Sequence, residues 1–477
     1  MERSASGLGP EVIVEVSQWS SSKMLRLVGS SSTEPVADMT GKIVAHCFRQ
    51  DGLVEVYRKL MDLTDANIKL RSYPELAGLP YATLRRSFDD AVVVGLIRDQ
   101  DVYFHPSDED LLRATDQVII IAYKHSHRTP PRNLVDDLMV DAGDVPHDVP
   151  GVTRVLRPKP GSALEAELEK RSAESGHAKQ RLDAATAPAV VSKPPATHVL
   201  VCGWWSGAAD AILELDPLVP AGTSMLILSE PPEDTDNRSW HANLAGLLAG
   251  LRNINVWHAV GDGMSRPAVS DAVVNLLAMS GSRPVSGGDA ESAAVQTVAT
   301  PLVHVLAAGS EDSRNLYSLV SAMDVCRELG VQTGHLVFEV SDNALGRQVT
   351  DAYPKLNYVS TTELSALLTS QVVENRALNA VWTELLTSGG KAGSAVLMRG
   401  AAGVAAGVAG GEAGDAPATT FNQLAEAAAL RGEVLIGYKE RGGQIFVNPA
   451  GKDAPLKLDT VDKLIVIAKP GLGEGFV

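Results

Sequence analysis

Two periodicities alternate along this chain. Short apolar runs bounded by glycine, proline or aspartate mark strands, and longer stretches with apolar residues three and four apart mark helices. Residues 11–16 (EVIVEV) predict the first strand, punctuated by Gly9 and Pro10. Residues 20–28 read as helical. Residues 37–61 read as a longer helical stretch that Gly52 divides in two, offering Ile43, Val44, Phe48, Val54, Val56, Tyr57 and Leu60 to a core. Four short strands follow, at 68–73, 91–98, 102–106 and 117–123, with a turn over 74–80.

From residue 198 onward, strand and helix alternate. Strands are predicted at 198–202, 224–228, 255–259, 302–307 and 335–340. Helices are predicted to Leu215 and over 240–251, 267–279 and 312–329, with a Ser/Gly-rich insertion at 280–297. Strands joined by crossover helices form a parallel sheet with helices on both faces. A helical region, 361–386, comes next. The Ala/Gly-rich stretch 389–419 reads as a disordered loop, and strands return at 433–439, 444–449 and 463–469. Nine prolines and alternating charges between residues 125 and 197 predict a linker with one helix at 163–183.

The two ends of the chain match. EVIVEVSQ at 11–18 resembles HLVFEVSD at 335–342. AVVVGLIRDQDVYFHP at 91–106 resembles EVLIGYKERGGQIFVNP at 433–449, and LLRATDQVIIIA ending at Ala122 resembles KLDTVDKLIVIA ending at Ala468. One unit is therefore a Rossmann-like lobe, a crossover helical segment and a small β-rich lobe. The expected fold class is α/β: a Rossmann-like doubly wound parallel sheet plus small β-rich lobes, with the first unit truncated ahead of its last Rossmann strand. The expected domains are that truncated unit (1–124), the linker (125–197), the Rossmann-like lobe of the second unit (198–342), and its crossover helices with the C-terminal β-rich lobe (343–477).

Composition narrows the function classes. A chain of 477 residues with 45% hydrophobic positions buries more than one core. A net charge of −16 argues against nucleic-acid and anionic-lipid partners. Cys47, Cys202 and Cys326 fit neither a disulfide framework nor a zinc spacing, and each sits in an apolar setting, which predicts buried thiols. The amino terminus lacks the apolar core of a signal peptide. No stretch reaches the ~18 to 20 apolar residues that span a bilayer, so the chain reads as intracellular and without a transmembrane segment.

Residues 198–210, HVLVCGWWSGAAD, are the natural place for a nucleotide. The dinucleotide fingerprint needs a second glycine two places after Gly203, and Trp205 stands there. NAD is therefore not expected, although Glu230 ends the second strand where a ribose-binding acid would sit. Trp204 and Trp205 read as packing residues. Carboxylates are the better ligand candidates. Glu230, Glu233, Asp234 and Asp236 follow the second strand, Asp262 the third, Glu311 and Asp312 the fourth, and Asp342 the fifth. A parallel sheet aligns these loops along one edge, where their oxygens can converge on a hard cation such as Ca²⁺. The alternative reading is helix capping, which suits Asp312 and Glu233. No catalytic motif is present, and no catalytic residue is assigned. His46, His258, His304 and His335 read as core or surface residues, and His125 and His127 as solvated linker residues.

KMLRLVGS at 23–30, LVEVYRKLMDLTDANIKLRSYPELAGLPY at 53–81, SFDDAVVVGL at 87–96, VLVCGW at 199–204, VFEVSD at 337–342 and VLIGY at 434–438 with its following VNP resemble the Castor/Pollux ion channels. The two-lobe repeat resembles the regulator-of-conductance (RCK) modules that form gating rings. The resemblance implies calcium regulation, other RCK-like units in a homo-oligomeric ring, and a pore that this chain does not encode. It implies association with a membrane through the intact channel, at the nuclear envelope. Two other readings stay open: a soluble NAD-binding oxidoreductase, and a peripheral regulatory subunit of a separate membrane transporter.

Overall fold

A computed structural model describes residues 13–16, 32–123, 138–140, 156–162, 164–166, 168–171, 197–205, 207–231, 235–279, 301–388, 393–401 and 419–470. These fall into two compact units. One gathers Met1–Val54 and Pro194–Asn379, the other Glu55–Lys193 and Ala380–Pro470. Each expected repeat thus contributes its first part to one unit and its second part to the other.

Strand β1 (Ile13–Val16) pairs in parallel with β2 (Ser32–Pro35). Helices Val36–Arg49 and Leu53–Met61 follow. Gly52 lies between them at φ +84°, a conformation that a side chain would oppose. The helix expected at 20–28 lies outside the described residues. Next come β3 (Asn67–Ser72), β4 (Ala91–Arg98), β5 (Asp101–Phe104) and β6 (Gln117–Ala122). They form an antiparallel sheet in the order β3-β6-β4-β5. Helix Tyr81–Arg86 sits between β3 and β4, too short for its periodicity to declare itself in sequence.

The stretch expected to be a linker needs correction. Strands β7 (Leu138–Val140) and β8 (Leu156–Pro158) pair within it, and Leu138 is buried in the same core as Leu96 and Val118. The described residues of 164–171 are helical, inside the expected helix 163–183.

Strands β9 (Thr197–Cys202), β10 (Thr223–Ser229), β11 (Ile254–Val260), β12 (Leu302–Ala307), β13 (Gln332–Val340) and β14 (Asn357–Ser360) form one fully parallel sheet. Its order is β11-β10-β9-β12-β13-β14, that of a doubly wound dinucleotide-type fold. Helices Arg266–Met279 and Asp312–Glu328 cover one face, burying Leu200, Cys202, Val303, Val305 and Phe338 beneath them. On the other face lie helix Ala208–Leu215 and helix Val36–Arg49. These two helices approach closely, and a Cβ on Gly41 would stand 2.5 Å from the Gly207 carbonyl oxygen. Phe48 packs edge-on against His304, and the Phe48 carbonyl lies 3.0 Å from His335 Nδ1. Burial, together with His335 and His198, pushes His304 down to about 3, so it is a neutral core residue. All three cysteines are buried thiols.

Strand β14 was not expected, since its four residues NYVS carry no apolar run. The disordered loop expected at 389–419 also needs correction. Strand β15 (Ala395–Gly400) lies within it, fully burying Ala395 to Met398, and so does part of β16 (Thr419–Thr420). The apolar run AVLM precedes the Ala/Gly tract and is separable from it. Helix Phe421–Ala429 follows, started by a capping box in which Thr420 and Gln423 satisfy each other's backbone N–H groups. Strands β17 (Val434–Glu440), β18 (Ile445–Val447), β19 (Pro455–Leu456) and β20 (Val461–Ala468) are the last elements among the described residues. β15, β20, β17 and β18 form an antiparallel sheet in that order.

The repeat is structural. β2, helix Val36–Arg49 and helix Leu53–Met61 recur as β14, helix Thr361–Glu374 and helix Leu378–Leu385, each 325 residues on (357 − 32, 361 − 36, 378 − 53). β1–β2 and β13–β14 are both parallel pairs. In the small sheets Gly95 and Gly437 stand at equivalent bulges, where a Cβ would meet the Tyr103 or Phe446 carbonyl oxygen. His105 and Asn448 take the same left-handed turn, at φ 47° and 46°.

The two small sheets share one unit and are tied reciprocally. His105 Nε2 lies 3.0 Å from the Ala429 carbonyl, and Asn448 Nδ2 donates to the Asp90 carbonyl at 2.8 Å. Between them the Glu426 carboxylate, 3% exposed, accepts from Arg85 at 2.7 and 3.1 Å and from Arg86 at 3.1 and 2.8 Å. Arg85 also holds Asp108 at 2.9 and 3.0 Å. Burial works to raise the Glu426 pKa, but the two guanidiniums outweigh it and hold it low. Glu426→Gln leaves two largely buried guanidiniums short of countercharge, so it should cost about 3–5 kcal/mol in urea unfolding. A loss below ~1 kcal/mol would show that the network is not holding the small sheets together.

A candidate ligand cleft at the strand ends

Strands β9 and β12 are neighbours, yet the chain leaves them toward opposite faces. Helix Ala208–Leu215 follows β9 on one face and helix Asp312–Glu328 follows β12 on the other. Such a switch point opens a crevice at the carboxyl ends of the strands. Here it is a cleft of about 240 Å³, bordered by Gly203 and Trp204 after β9, Glu230 after β10, Asp262 after β11, and Ser310 and Glu311 after β12.

Gly203 shapes its floor. Its φ of +101° suits glycine, its N–H donates to the Leu228 carbonyl at 2.9 Å, and a Cβ would run into the Ala308 carbonyl oxygen. Trp204 turns to one wall and stacks edge-on against Trp240 at 5.4 Å. The expectation that the tryptophans pack holds for Trp204. Trp205 is half-buried, and its carbonyl accepts from the Ala208 N–H at 3.1 Å, at the start of the helix.

The expected acids separate into three groups. Glu230, Asp262 and Glu311 line the cleft. Asp312 and Asp342 do not turn into it. Asp312 Oδ1 and Oδ2 accept from the Ser341 and Asp342 N–H groups at 2.8 and 2.9 Å, and Asp342 caps helix Asn343–Ala352 through the Ala344 N–H at 2.8 Å. Glu233 and Asp234 lie outside the described residues, as do His125 and His127. Asp236 caps helix Asn237–Leu247 by accepting from the Arg238 and Ser239 N–H groups. Among the described residues, no three His, Cys, Asp or Glu side chains come together as a metal-ligand group.

Arg314 was not anticipated. From the first turn of helix Asp312–Glu328 its Nη2 reaches Glu230 at 3.2 Å and Asp262 at 2.9 Å. Burial works to lower its pKa, but Asp262 and Glu230 outweigh it and raise it. A cation in the first helical turn opposes the helix dipole, and that was the available sequence signal. All three partners are more than one-third exposed, so each contact is worth ~0–1 kcal/mol. Arg314 is therefore a replaceable counter-ion. With it the cleft presents three carboxylates against one guanidinium. The next residue, Asn315, is buried and donates to the Gly309 and Glu339 carbonyls at 3.1 Å each, binding the ends of β12 and β13 to the same helix.

Glu339 lies on β13. One oxygen accepts from Thr361 Oγ1 at 2.9 Å, and Oε2 is buried without a partner. Burial pushes its pKa up to about 6, the Thr361 hydroxyl lowers it, and Asp312 adds to the rise. The folded value exceeds the ordinary 4.5. The ionised form therefore costs nothing below pH 4.5, increasingly more between 4.5 and 6, and about 2 kcal/mol above that. Glu339→Gln should raise stability at pH 7 by up to about 2 kcal/mol and give no gain below pH 4.5 in parallel unfolding curves. An equal gain at both pH values would exclude ionisation as the cause.

The chain is similar to known proteins in sequence and fold. A family model described as "Castor and Pollux, part of voltage-gated ion channel" matches residues 37–137. The probable ion channel POLLUX of Oryza sativa subsp. japonica is 23% identical over 99% of this chain and 44% of its own length. The ion channel DMI1 of Medicago truncatula is 22% identical over 97% of this chain and 48% of its own. The chain thus spans about half the length of the curated relatives it matches. The human SLO3 gating ring has a similar fold, with a TM-score of 0.56 at 12% identity over 96% of this chain and 80% of that one.

Proposed function

We propose that this chain, a relative of the Castor/Pollux ion channels, is the regulatory gating-ring region of a cation channel, in which a ligand at the strand-end cleft is coupled to ion transport. The likeness over nearly the whole chain supports this reading, as does a fold shared with a gating ring. Among the described residues no helix is long and apolar enough to cross a membrane, so the pore is assigned to other residues or another chain. The role is regulatory rather than catalytic, and the working assembly is a homo-oligomeric ring at a membrane, with the nuclear envelope as the proposed location.

The observation that carries the ligand assignment is the weakly held Arg314 between Glu230 and Asp262. Ca²⁺ takes six to eight oxygens at about 2.3–2.6 Å and accepts water among them. It binds by displacing the Arg314 guanidinium and drawing together the Glu230, Asp262 and Glu311 carboxylates, which line the cleft without forming a ready-made ligand group. Release of Arg314 frees the first turn of helix Asp312–Glu328, and Asn315 passes that shift to the ends of β12 and β13. A cation that binds the two positions of this helix with different affinity shifts their populations.

Calorimetric titration of the whole chain with CaCl₂ tests the assignment. Saturable binding is expected, weakened about tenfold or more by Asp262→Asn. Arg314→Gln should tighten it, since the resident counter-ion is gone. No heat at millimolar Ca²⁺, or binding unchanged by Asp262→Asn, contradicts calcium at this cleft.

A further inference from the structure

A second constellation lies at the outer edge of the parallel sheet. His258 is on β11, its outermost strand, and His241 is on the exposed side of helix Asn237–Leu247. Their Nδ1 atoms are 3.1 Å apart, and their rings meet at 72° with centroids 4.6 Å apart. One N–H···N hydrogen bond accounts for the distance alone, but the surroundings fit a shared ligand.

The spacing is that of two donors on one metal. Two imidazole nitrogens at ~2.0–2.1 Å from a tetrahedral Zn²⁺ stand about 3.3 Å from each other. The far side of His258 is also prepared. Its Nε2 lies 3.0 Å from the hydroxyl of buried Ser229. A metal-binding histidine characteristically gives its second ring N–H to such an oxygen, which fixes the tautomer and directs the other lone pair outward. Trp240 supports the His258 ring edge-on at 6.2 Å. Both histidines border a groove of about 510 Å³, which leaves room for water or another donor at the remaining positions.

We propose that His241 and His258, with Ser229 orienting the second of them, form an open two-histidine site for a borderline divalent transition-metal ion of the Zn²⁺ class. Imidazole donors select such ions over Ca²⁺. Neither histidine belongs to the strand-end cleft, so this site stands or falls independently of calcium there. The two are adjacent in structure all the same, because Ser229 ends β10 and Glu230 follows it into the cleft. An ion on the histidine pair therefore bears on the strand end that presents Glu230.

The test is calorimetric titration of the whole chain with ZnCl₂ in a non-coordinating buffer at pH 7, repeated with 1 mM CaCl₂ present. The wild type is expected to bind one Zn²⁺ more tightly than any weaker sites, and Ca²⁺ should not compete. His241→Gln, at an exposed helix position, should remove that binding phase with the circular dichroism unchanged. Ser229→Ala keeps both donors and should weaken it about 10-fold or more. Cu²⁺ should quench tryptophan fluorescence in the wild type and less so in His241→Gln. The proposal is overturned if the wild type takes up no Zn²⁺, if His241→Gln binds as tightly as wild type, or if Ca²⁺ displaces the ion.

Discussion

The Glu426 carboxylate, buried between Arg85 and Arg86, is the interaction on which the union of the two small sheets depends. Arg86 and Glu426 occupy equivalent positions of the repeat, 340 residues apart, as do Tyr81 and Phe421 at the starts of their helices. Identical residues at equivalent positions that meet would set like charge against like charge. The opposite charges of Arg86 and Glu426 make that meeting point an ion pair. A buried pair of this kind adds little net stability compared with an apolar substitute, but breaking it is costly because a charge is stranded. It therefore specifies which surfaces meet. The reciprocal reach of His105 and Asn448 into the opposite sheet reinforces the same register.

Where the hydrophobic pattern was long and bounded, the sequence made the fold legible. β4 and β12 match their expected limits, and Gly52 breaks the helical stretch where expected. Short elements escaped: β14 with four residues, helix Tyr81–Arg86 with six, and β15, whose apolar run was absorbed into the neighbouring Ala/Gly tract. Tertiary pairing settles these elements, and local periodicity does not record it. The repeat was visible because glycines at bulges and the apolar alternation beside them are fixed by backbone geometry in both copies. The repeat also told more than its boundaries did, since each copy divides its parts between the two compact units.

The site was less legible. Carboxylates at strand ends follow from topology, and three of those expected do line one cleft. Which acids turn inward is decided by free backbone amides. Asp312 and Asp342 are drawn to N–H groups at the ends of β13 and at the next helix, leaving Glu230, Asp262 and Glu311 for the cleft. Arg314 could be found only by asking why a cation stands where a helix dipole disfavours it. The histidine pair is separated by 17 residues and lies on different elements, with no sequence motif to join it.

The central claim is that a cation at the strand-end cleft shifts helix Asp312–Glu328 and, through Asn315, the ends of β12 and β13. Amide hydrogen exchange with and without millimolar Ca²⁺ tests this most directly. The account predicts altered exchange at Gly261 to Met264 and through the first turns of the helix from Asp312, extending to Ser341 and Asp342, with the small sheets unchanged. Exchange that is identical with and without Ca²⁺ at those segments would contradict it.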